Sequence, residues 1–392
     1  MLKGFKTEIN PTEEQKQKIN QSIGICRYLY NSYIAKNQEL YEPLNQEKIN
    51  KKQTFMSAND FDKYINNEVK ILDEYTWINL CGSKARKKAI CNAETSYKRF
   101  FKGRGKFPRF KKKNKSDVKL YFPKNNKTDW IVYRHKIKIP TLGFVRLKEY
   151  GYVPTNAKVK SGTISCKAGR YYVSALCEIK EYNDYSKSNN EGIGIDLGIK
   201  ELAIVSNIDK SFKNINKTSR VKKIEKKKKR LQRQVSRKYE MNKQGNKFVK
   251  TNNIIKLEQN IRKLNNQVTN IRHNYLNNIT SKIVKQKPSY ITIEDLNVKG
   301  MIKNKHLSKA IAQQCFYEIR RQLEYKCRWS NIELRIVDRF YPSSKICSEC
   351  GYVDKQLKLS DRIYICKECG CVLDRDKNAS YNLRDAKLYK VA

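Results

Sequence analysis

The stretch GIGIDLGIKELAIVSN, residues 192–207, contains two apolar runs separated by a tight turn at Gly198. Apolar and glycine positions alternate before Asp196 and predict a strand, and the apolar run after the turn predicts a second strand. Asp196 is therefore a carboxylate set in an apolar strand. Burying such a group is costly unless it binds a cation or is well hydrogen-bonded, so Asp196 is a candidate functional residue. The alternative interpretation is that Asp196 caps the turn.

Strands and helices alternate downstream of this hairpin. SYITIEDL (289–296) and ELRIVD (333–338) are typical of buried strands, and a helix is expected near 307–329. This alternation predicts an α/β sheet in the C-terminal half of the chain. From about residue 215 to 285 the pattern is helical and very basic, with an apolar stripe at three- and four-residue steps. That pattern predicts a helical hairpin or a coiled-coil-like arm.

The N-terminal half has a different pattern, in which one strand and a long helical region precede several short strands. Residues 2–9 alternate as a strand does, and residues from about 12 to 100 have helical spacing, with Asn10 and Thr12 as candidate N-caps. After KGRGKFPRFKKKNK (102–115), several short β-rich runs with tight turns predict a small barrel. The first strand could belong to the same sheet, in which case the helical region is an insertion within a β module.

These changes of texture predict a division of the chain into five parts. The polar stretch EYNDYSKSNNEG, which begins at residue 181, is typical of a linker. The expected parts are a β-barrel (1–10 and 101–182), a helical domain (11–100), a linker (183–190), an α/β domain (191–344 and 371–392) and a cysteine ribbon (345–370).

The charge balance dominates the composition. The 392 residues include 84 Lys and Arg against 38 Asp and Glu, a formal net charge of +46. A chain this basic repels itself unless a polyanion neutralises it, and nucleic acid is the expected partner. A Lys-rich composition inherited from an AT-rich genome would explain the lysines but not the shortage of acids; attachment to a membrane surface is a weaker alternative. We expect a cytoplasmic protein, since no apolar run could span a bilayer or serve as a signal peptide.

Five of the twelve cysteines crowd together between residues 347 and 371. Two Cys-x2-Cys pairs are separated by 15 residues, which is the spacing of a structural zinc ribbon with four thiolate ligands. The predicted zinc ligands are Cys347, Cys350, Cys366 and Cys369. Cys371 is a fifth thiol that could exchange with Cys369 as ligand. The other seven cysteines, among them Cys26 and Cys81, are expected to be single reduced thiols in the core.

Further acidic residues could join Asp196 in one site. Glu294 ends the SYITIEDL strand, and Asp374 and Asp376 follow the ribbon in VLDRDKNAS (372–380). Three carboxylates that converge at strand ends would form a hard-oxygen site for Mg²⁺ or Mn²⁺, and two such ions can promote phosphodiester cleavage. Each residue also has a structural interpretation. Either Glu294 or its neighbour Asp295 must face outward from a regular strand, and Asp376 is well placed to be the N-cap of a helix.

Taken in order, these stretches resemble the TnpB (OrfB) proteins of bacterial insertion sequences, which are related to the compact type V CRISPR effectors. The resemblance extends over nearly the whole chain. The stretches that carry it are KTEINPTEEQKQKINQSIGICRYLYN (6–31), YKRFFKGRGKFPRFKKK (97–113), GIDLGIKELAIVS (194–206), KKRLQRQVSRK (228–238), ITIEDLNVKGM (291–301), YPSSKICSECG (341–351) and CKECGCVLDRDKNASYNL (366–383).

The resemblance implies a fold and a catalytic site. The barrel would be a wedge-like domain with an inserted helical recognition domain, followed by an RNase H-like RuvC nuclease domain that contains the zinc ribbon. Asp196, Glu294 and Asp376 would be the catalytic residues and would hold Mg²⁺ or Mn²⁺. Asp374 is the weaker candidate, because the family motif places the last acid two residues before Asn378. The ribbon would present this third carboxylate to the metals.

The resemblance also implies an activity, that of an RNA-guided DNA endonuclease. A guide RNA would pair with one strand of the target duplex, the protein would read a short flanking motif, and the RuvC site would cut. Residues 1 to about 180 would hold the RNA–DNA hybrid. The expected nucleic-acid contacts are Ser83, Lys84, Lys87, Lys88, Tyr97, Phe100, Arg230, Arg233 and Arg237. The alternative interpretation is that the lysines among residues 83–100 are ordinary solvated side chains and that Tyr97 and Phe100 are core aromatics.

Three other functions fit similar motifs. A CRISPR-associated compact type V effector could have the same protein sequence features. An RNA-guided repressor would require a broken acidic triad, whereas all three acids are present here. A DNA-joining transposase with an RNase H-like fold would also use acidic residues. We expect a monomer located in the cytoplasm at the nucleoid.

Overall fold

The computed structural model describes residues 1–41, 55–113, 118–126, 129–179, 190–358 and 361–392. The chain forms two compact units, Met1–Tyr182 and Asn183–Ala392. All of the predicted linker 183–190 except Asn190 lies outside the described residues. No helix in the described ranges has the length and apolar composition needed to cross a membrane.

Seven strands form one antiparallel sheet in the first unit. They are β1 (Leu2–Asn10), β2 (Lys119–Pro123), β3 (Ile131–Val132), β4 (Lys136–Ile139), β5 (Gly143–Leu147), β6 (Lys158–Lys167) and β7 (Arg170–Glu178). Their order across the sheet is β2-β6-β7-β1-β5-β4-β3. β1 pairs with β7 from Leu2 opposite Glu178 to Ile9 opposite Tyr171. The first strand therefore lies inside the sheet that the later strands form, and the helices interrupt this sheet in sequence.

Between β1 and β2 the described residues form three α-helices: α1 (Glu13–Tyr41), α2 (Ala58–Tyr64) and α3 (Ser83–Phe101). The start of α1 is fixed by a reciprocal cap, in which the Thr12 hydroxyl accepts from the Gln15 N–H and Gln15 Oε1 accepts from the Thr12 N–H. A 3-10 helix, Asp73–Leu80, precedes α3 and packs against α1. Cys26 and Cys81 are free buried thiols, as expected, and this packing brings their sulfur atoms to 3.7 Å.

The second unit contains a six-stranded mixed sheet and two short hairpins. The strands are β8 (Ile193–Leu197), β9 (Glu201–Val205), β10 (Phe212–Lys213), β11 (Lys243–Gln244), β12 (Lys247–Phe248), β13 (Tyr290–Glu294), β14 (Glu333–Val337), β15 (Ile363–Ile365), β16 (Val372–Asp374) and β17 (Lys390–Val391). The order in the large sheet is β10-β9-β8-β13-β14-β17. β13 is parallel to β8 and to β14, so the predicted α/β sheet is confirmed.

The helices of the second unit are α4 (Ser219–Met241), α5 (Asn252–Val284), α6 (Val298–Met301), α7 (Ser308–Gln314), α8 (Phe316–Trp329) and α9 (Arg375–Arg384). α4 and α5 pack together as the predicted helical hairpin, joined through β11 and β12. The prediction of a single helix near 307–329 is wrong, because the structure has two helices, α7 and α8, in this range. Cys315 has left-handed backbone angles, φ 56° and ψ 41°, which end α7 before α8 begins.

The two faces of the large sheet are covered by different helices. Ile193 and Ile195 of β8, with Ile291 and Ile293 of β13, pack with apolar residues of α5 and α8 in one core. α9 contacts β8, β9 and β13. The arrangement is three layers of helix, sheet and helix, in which α9 and the acidic residues share the layer opposite α5 and α8.

Candidate active site

Two of the predicted acidic residues lie at the C-terminal ends of neighbouring strands of the large sheet, Asp196 as the penultimate residue of β8 and Glu294 as the last residue of β13. β8 and β13 are parallel with Ile195 opposite Ile293, so Asp196 and Glu294 follow at the same level. Because side chains alternate along a strand, both carboxylates leave the sheet on one face. Ile195 and Ile293 point to the other face, into the core. The register of these two strands therefore brings Asp196 and Glu294 side by side.

Gly194 allows α9 to pack closely on this same face. A Cβ atom on Gly194 would collide with the Ser380 carbonyl oxygen and the Arg384 amide nitrogen of α9. Only glycine permits such an approach of helix backbone to strand backbone. Gly194 and Asp196 are two residues apart and have the same orientation, so the contact sets α9 beside Asp196. The first turn of α9 carries Asp376 into this neighbourhood.

The two aspartates that follow the ribbon have different roles. Asp374 is the N-cap of α9, because its Oδ1 accepts hydrogen bonds of 3.0 Å from the N–H groups of Asp376 and Lys377. The interpretation of Asp376 as the N-cap is therefore wrong, since α9 begins at Arg375 rather than at Lys377. The Asp376 carboxylate instead pairs with Arg375 at 3.1 Å and with Arg362 of the ribbon at 3.7 Å.

Asp196 lies within electrostatic reach of both Glu294 and Asp376. Burial raises the pKa of the Asp196 carboxyl to about 8, and the Glu294 and Asp376 carboxylates add to this rise. The Arg375 guanidinium opposes it. Burial likewise raises the pKa of Glu294. A bound cation would relieve both the burial of negative charge and the mutual repulsion of these carboxylates.

The three carboxylates are spread more widely than the ligands of one compact metal site. Among the described residues, only the ribbon cysteines form a group whose ligand atoms all lie within 4.8 Å of one another. In this arrangement Asp196, Glu294 and Asp376 therefore do not form the ligand set of a single ion.

Asp295 has partners of its own beside Glu294. Its oxygen atoms accept hydrogen bonds from Arg320 at 2.8 Å and from Arg339 at 3.2 Å. Glu294 instead accepts a hydrogen bond of 2.5 Å from the Ser343 hydroxyl. Both acids are half-buried. The sequence left open which of the two faces outward, and the structure gives each a separate set of contacts.

Two asparagines of α9 bind the segment that enters the ribbon. Asn378 Nδ2 donates to the Ile346 carbonyl at 2.6 Å, and its Oδ1 accepts from the Ser348 N–H at 3.0 Å. Asn382, one turn later, donates to the carbonyls of Ser343 and Ile346, both at 2.7 Å. Both asparagines are buried. The ribbon entrance is thus fixed to α9 at three backbone positions.

Lys377 binds α9 to the strand on its other side. Its Nζ donates to the backbone carbonyls of Val205, Ser206 and Ile208 at 3.1, 2.9 and 3.0 Å. These residues end β9 and follow it, and β9 is the hairpin partner of β8. Lys377 therefore ties the helix that carries Asp376 to the hairpin that carries Asp196.

The four predicted ribbon ligands converge, as the Cys-x2-Cys spacing predicted. The sulfur atoms of Cys347 and Cys369 are 3.6 Å apart, and those of Cys350 and Cys366 are 3.5 Å apart. All four lie within 4.8 Å of one another. Cys371 is not in this group, although it is only two residues after Cys369 in the sequence. Four converging thiols fit a tetrahedral zinc site.

Tight turns at two glycines shape the cysteine pairs. Gly351 and Gly370 have φ of 79° and 70°, and their N–H groups donate to the Cys347 and Cys366 carbonyls. These are left-handed angles that favour glycine. Hydrogen bonds from backbone N–H groups, first that of Cys369, lower the pKa of the Cys366 thiol to about 6. A thiol with a lowered pKa is favoured as the thiolate that a metal requires.

The predicted nucleic-acid contacts on α3 and α4 are mostly on the surface. Lys87 lies 4.0 Å from Asp62, and Lys88 lies over the Tyr121 ring. None of these interactions identifies a nucleic-acid partner, so the contacts stay predictions. The exposed candidates are Ser83, Lys84, Lys87, Lys88, Arg230, Arg233 and Arg237.

The prediction that Tyr97 contacts nucleic acid is wrong, because the side chain is buried. It is 1% exposed, and its hydroxyl donates to the Ile34 carbonyl at 3.0 Å. Phe100 is half-buried and packs on the Phe107 ring at 5.2 Å between centroids. A signal for the burial of Tyr97 was present in the sequence, because it continues the four-residue spacing of the small apolar positions Ala89 and Ala93 on α3.

Sequence reasoning missed the residues that hold the acidic groups in place, chiefly Ser343, Lys377 and Asn382. The contacts of these residues join positions 36 to 172 apart in sequence. Local patterns do not report such pairs. The one available signal was the i, i+4 spacing of Asn378 and Asn382, which places two amides on one face of a helix.

Three family models match the chain, and together they span most of it. Residues 1–46 match a model described as "Helix-turn-helix domain", of the OrfB IS605 group, and 174–305 match "Probable transposase" of the same group. Residues 316–383 match "Cas12f1-like, TNB domain". The described part of 1–46 is a strand, β1, followed by one long helix, α1, rather than two helices joined by a turn.

Relatives resemble the chain over nearly its full length. InsQ of Escherichia coli K12, whose name describes an RNA-guided DNA endonuclease, is 30% identical over 97% of this chain and 91% of its own. A Streptomyces pristinaespiralis protein with a name of the same kind is 28% identical over 98% and 89%. The Cas12f1 chain of a Cas12f1–sgRNA–target DNA complex has the same fold, with a TM-score of 0.56 at 14% identity over 100% and 99% of the two chains. The chain belongs to the TnpB (OrfB) family.

Proposed function

We propose that this chain is an RNA-guided DNA endonuclease that binds a guide RNA, recognises a short flanking motif in double-stranded DNA and cleaves the target at a RuvC site. Full-length relatives carry this activity in their names. The observation that carries the proposal is the placement of the acids. Asp196 and Glu294 lie side by side near the ends of adjacent parallel strands, and Asp376 lies within electrostatic reach of Asp196.

We propose the domain layout that the resemblance implies. The RuvC domain would comprise 191–344 and 371–392, with the zinc ribbon at 345–370 inserted. A wedge-like barrel would comprise 1–10 and 101–182, with the recognition domain at 11–100 inserted. The mixed sheet of the second unit and the antiparallel sheet of the first support these assignments. The pairing of β1 with β5 and β7 supports the insertion.

The acidic residues fit divalent ions such as Mg²⁺ or Mn²⁺, which prefer carboxylate oxygen ligands. When bound, two such ions activate water and stabilise the leaving oxygen of a phosphodiester. Asp196 is fixed by its strand, Glu294 by the Ser343 hydroxyl, and Asp376 by the first turn of α9. The chain therefore holds each carboxylate from a different element, and contacts of Lys377 and Asn382 join these elements to one another.

The guide RNA would supply sequence recognition, and the protein would hold the hybrid through its backbone phosphates. A formal net charge of +46 supports binding of two polyanions at once. The exposed arginines Arg230, Arg233 and Arg237 of α4, with the lysines of α3, are candidates for phosphate contacts. Such a nuclease would act in the cytoplasm, at the nucleoid.

The ribbon would bind one structural zinc ion through Cys347, Cys350, Cys366 and Cys369. We expect about one equivalent of zinc per chain by elemental analysis of purified protein. Cys350→Ser should lower this value and destabilise the second unit, because zinc binding contributes to folding. Cys371→Ser is the matched control and should retain the zinc. Protein without zinc, or zinc lost with Cys371, would contradict the ligand assignment.

The proposed function is tested by the RNA that copurifies with the protein. The chain is expressed with its neighbouring DNA, bound RNA is sequenced, and the complex is challenged with a target flanked by randomised sequence. We expect one defined RNA and loss of the library members with one flanking motif. An RNA with repeats would indicate a CRISPR-associated effector instead. Joined DNA strands, or the absence of any specific RNA, would contradict guided cleavage.

The acidic residues are tested in the same assay. Asp196→Asn should retain the RNA and bind the target but leave the DNA intact, because the carboxylate that the ions would share is gone. Melting curves would establish that the variant is folded. Cleavage at the rate of the unchanged chain would remove Asp196 from the catalytic site.

A further inference from the structure

A cavity of about 240 Å³ opens beside Glu294 in the second unit. The walls are mainly apolar and come from the ends of β8 and β13, from α6 and from α8. The apolar lining residues include Leu197, Leu296, Val298 and Phe316. The volume is smaller than that of sites for drug-sized ligands and suits a single base or sugar. Because Glu294, a proposed catalytic carboxylate, lines the cavity, a nucleotide of the DNA strand being cut would lie within reach of it.

Aromatic and cationic side chains also line this cavity. Tyr317 is 71% exposed, so its ring is open to a ligand. Arg320 and Arg339 are both lining residues and are 37% and 45% exposed. Exposed aromatic rings that adjoin guanidinium groups are the usual means by which proteins hold unpaired nucleotides.

Asp295 holds the two guanidinium groups at the cavity. Arg320 donates to Asp295 Oδ1 at 2.8 Å and to Glu324 at 3.1 Å, whereas Arg339 donates to Asp295 Oδ2 at 3.2 Å. A guanidinium has five N–H donors in a planar fork. Arg339 can therefore keep its bond to Asp295 and still donate to a phosphate. This gives Asp295 a role distinct from that of Glu294, although the two are adjacent in sequence.

We propose that this cavity is a subsite for one nucleotide of the DNA strand being cut, next to the scissile phosphodiester. The base or sugar enters the apolar cavity with Tyr317 against it, and Arg339 donates to a neighbouring phosphate. Arg320 and Asp295 hold Arg339 in position. The subsite rests on the proposed nuclease function, and it would align the strand so that its phosphodiester lies at the acidic residues.

The test uses the guide-loaded protein and a series of target duplexes, each with one abasic nucleotide at successive positions around the cut. Single-turnover cleavage rates are measured for the unchanged chain, Tyr317→Ala and Arg339→Gln. Arg321→Gln is the control, since Arg321 lies on α8 with Tyr317, pairs with Glu318 at 2.7 Å and does not line the cavity. Melting curves establish that each variant is folded.

We expect the abasic nucleotide to slow cleavage by the unchanged chain about 10-fold at one position near the cut, because one base–aromatic stack is lost. Tyr317→Ala should cut the intact target about 10-fold more slowly and should lose this sensitivity. Arg339→Gln should slow all targets, and Arg321→Gln should match the unchanged chain.

Two results would overturn the subsite. The abasic series could give uniform rates, or Tyr317→Ala could keep the full abasic penalty. In either case normal cleavage of the intact target would leave the proposed function standing. If the unchanged chain cut none of the targets, the proposed function and the subsite would fail together.

Discussion

Ser343 fixes the direction of the Glu294 carboxylate. Its hydroxyl donates a hydrogen bond of 2.5 Å to Glu294 Oε1, and its carbonyl accepts from the Asn382 amide at 2.7 Å. Ser343 is 5% exposed, so solvent has little access to the bond. A hydrogen bond to a charged group contributes about 1.5–3 kcal/mol, which is enough to select one orientation of a long side chain. Ser343 is thus a positioning residue for Glu294.

Replacing Ser343 by alanine should impair cleavage without loss of target binding. We expect Ser343→Ala to lower the single-turnover rate about 10-fold and to raise the Mg²⁺ concentration needed for half-maximal rate, because Glu294 becomes less ordered. Ser343→Thr keeps the hydroxyl and should restore most of the rate. Ser344→Ala is the control from the adjacent position. An unchanged Mg²⁺ dependence in Ser343→Ala would exclude the positioning role.

At the scale of elements, α9 is the part of the site that depends most on its neighbours. It rests on β8 through Gly194, on the end of β9 through Lys377, and on the ribbon entrance through two asparagines. These contacts come from three directions. A shift of α9 in any of them would move Asp376 away from Asp196, so we expect close packing at Gly194 to matter for stability and for activity alike.

Gly194→Ala should destabilise the second unit by about 1–3 kcal/mol, because the added methyl group meets helix backbone that cannot rotate away. Urea unfolding measures the change. Gly4→Ala is the control, since Gly4 is also a strand glycine and a Cβ there has no atom within 4 Å. Equal stability of Gly194→Ala and the unchanged chain would contradict the close approach of α9 to β8.

A buried lysine joins α5 to α8 in the layer behind the sheet. Lys326 is 9% exposed, and its Nζ donates to the Asn277 carbonyl and side-chain oxygen, both at 2.9 Å, and to the hydroxyls of Thr280 and Ser281 at 2.7 and 2.8 Å. These four acceptors are all uncharged oxygen atoms. Burial lowers the pKa of Lys326 to about 8.

This lysine predicts a pH dependence of stability. In the unfolded chain Lys326 keeps its proton up to about pH 10.5, so between about pH 8 and that value the unfolded chain binds more protons than the folded one. The free energy of unfolding therefore rises with pH in this window, by about 1–3 kcal/mol. Urea unfolding should show that the free energy of unfolding of the unchanged chain rises with pH in this window relative to that of Lys326→Met. A constant difference between them across the window would contradict the lowered pKa.

At the scale of the whole molecule, the features that could be predicted from sequence are the locally encoded ones. Short apolar runs predicted the strands that contain Asp196 and Glu294, and the Cys-x2-Cys spacing predicted the four converging thiols. The order of the motifs along the chain identified the resemblance to the TnpB (OrfB) family. Each of these signals lies within a few consecutive residues, so a single sequence is enough to detect it.

The remainder could not be predicted because it depends on contacts between distant residues. Ser343 and Glu294 are 49 positions apart, and Lys377 reaches a carbonyl 172 positions away. The break between α7 and α8 depends on the backbone angles of Cys315, a residue type that seldom adopts them. The distinct roles of Asp374 and Asp376 depend on whether α9 begins at Arg375 or at Lys377, and either aspartate is a suitable N-cap by residue type.

The central claim is that Asp196, Glu294 and Asp376 hold the ions that cleave DNA, and Asp376 tests it most directly because Asp374 is a matched neighbour. Asparagine at position 374 keeps an N-cap acceptor, so Asp374→Asn should cut guided target DNA within about 3-fold of the unchanged chain. Asp376→Asn should cut at least about 1000-fold more slowly with RNA and target binding retained. Normal cleavage by Asp376→Asn, with cleavage lost in Asp374→Asn, would contradict the account.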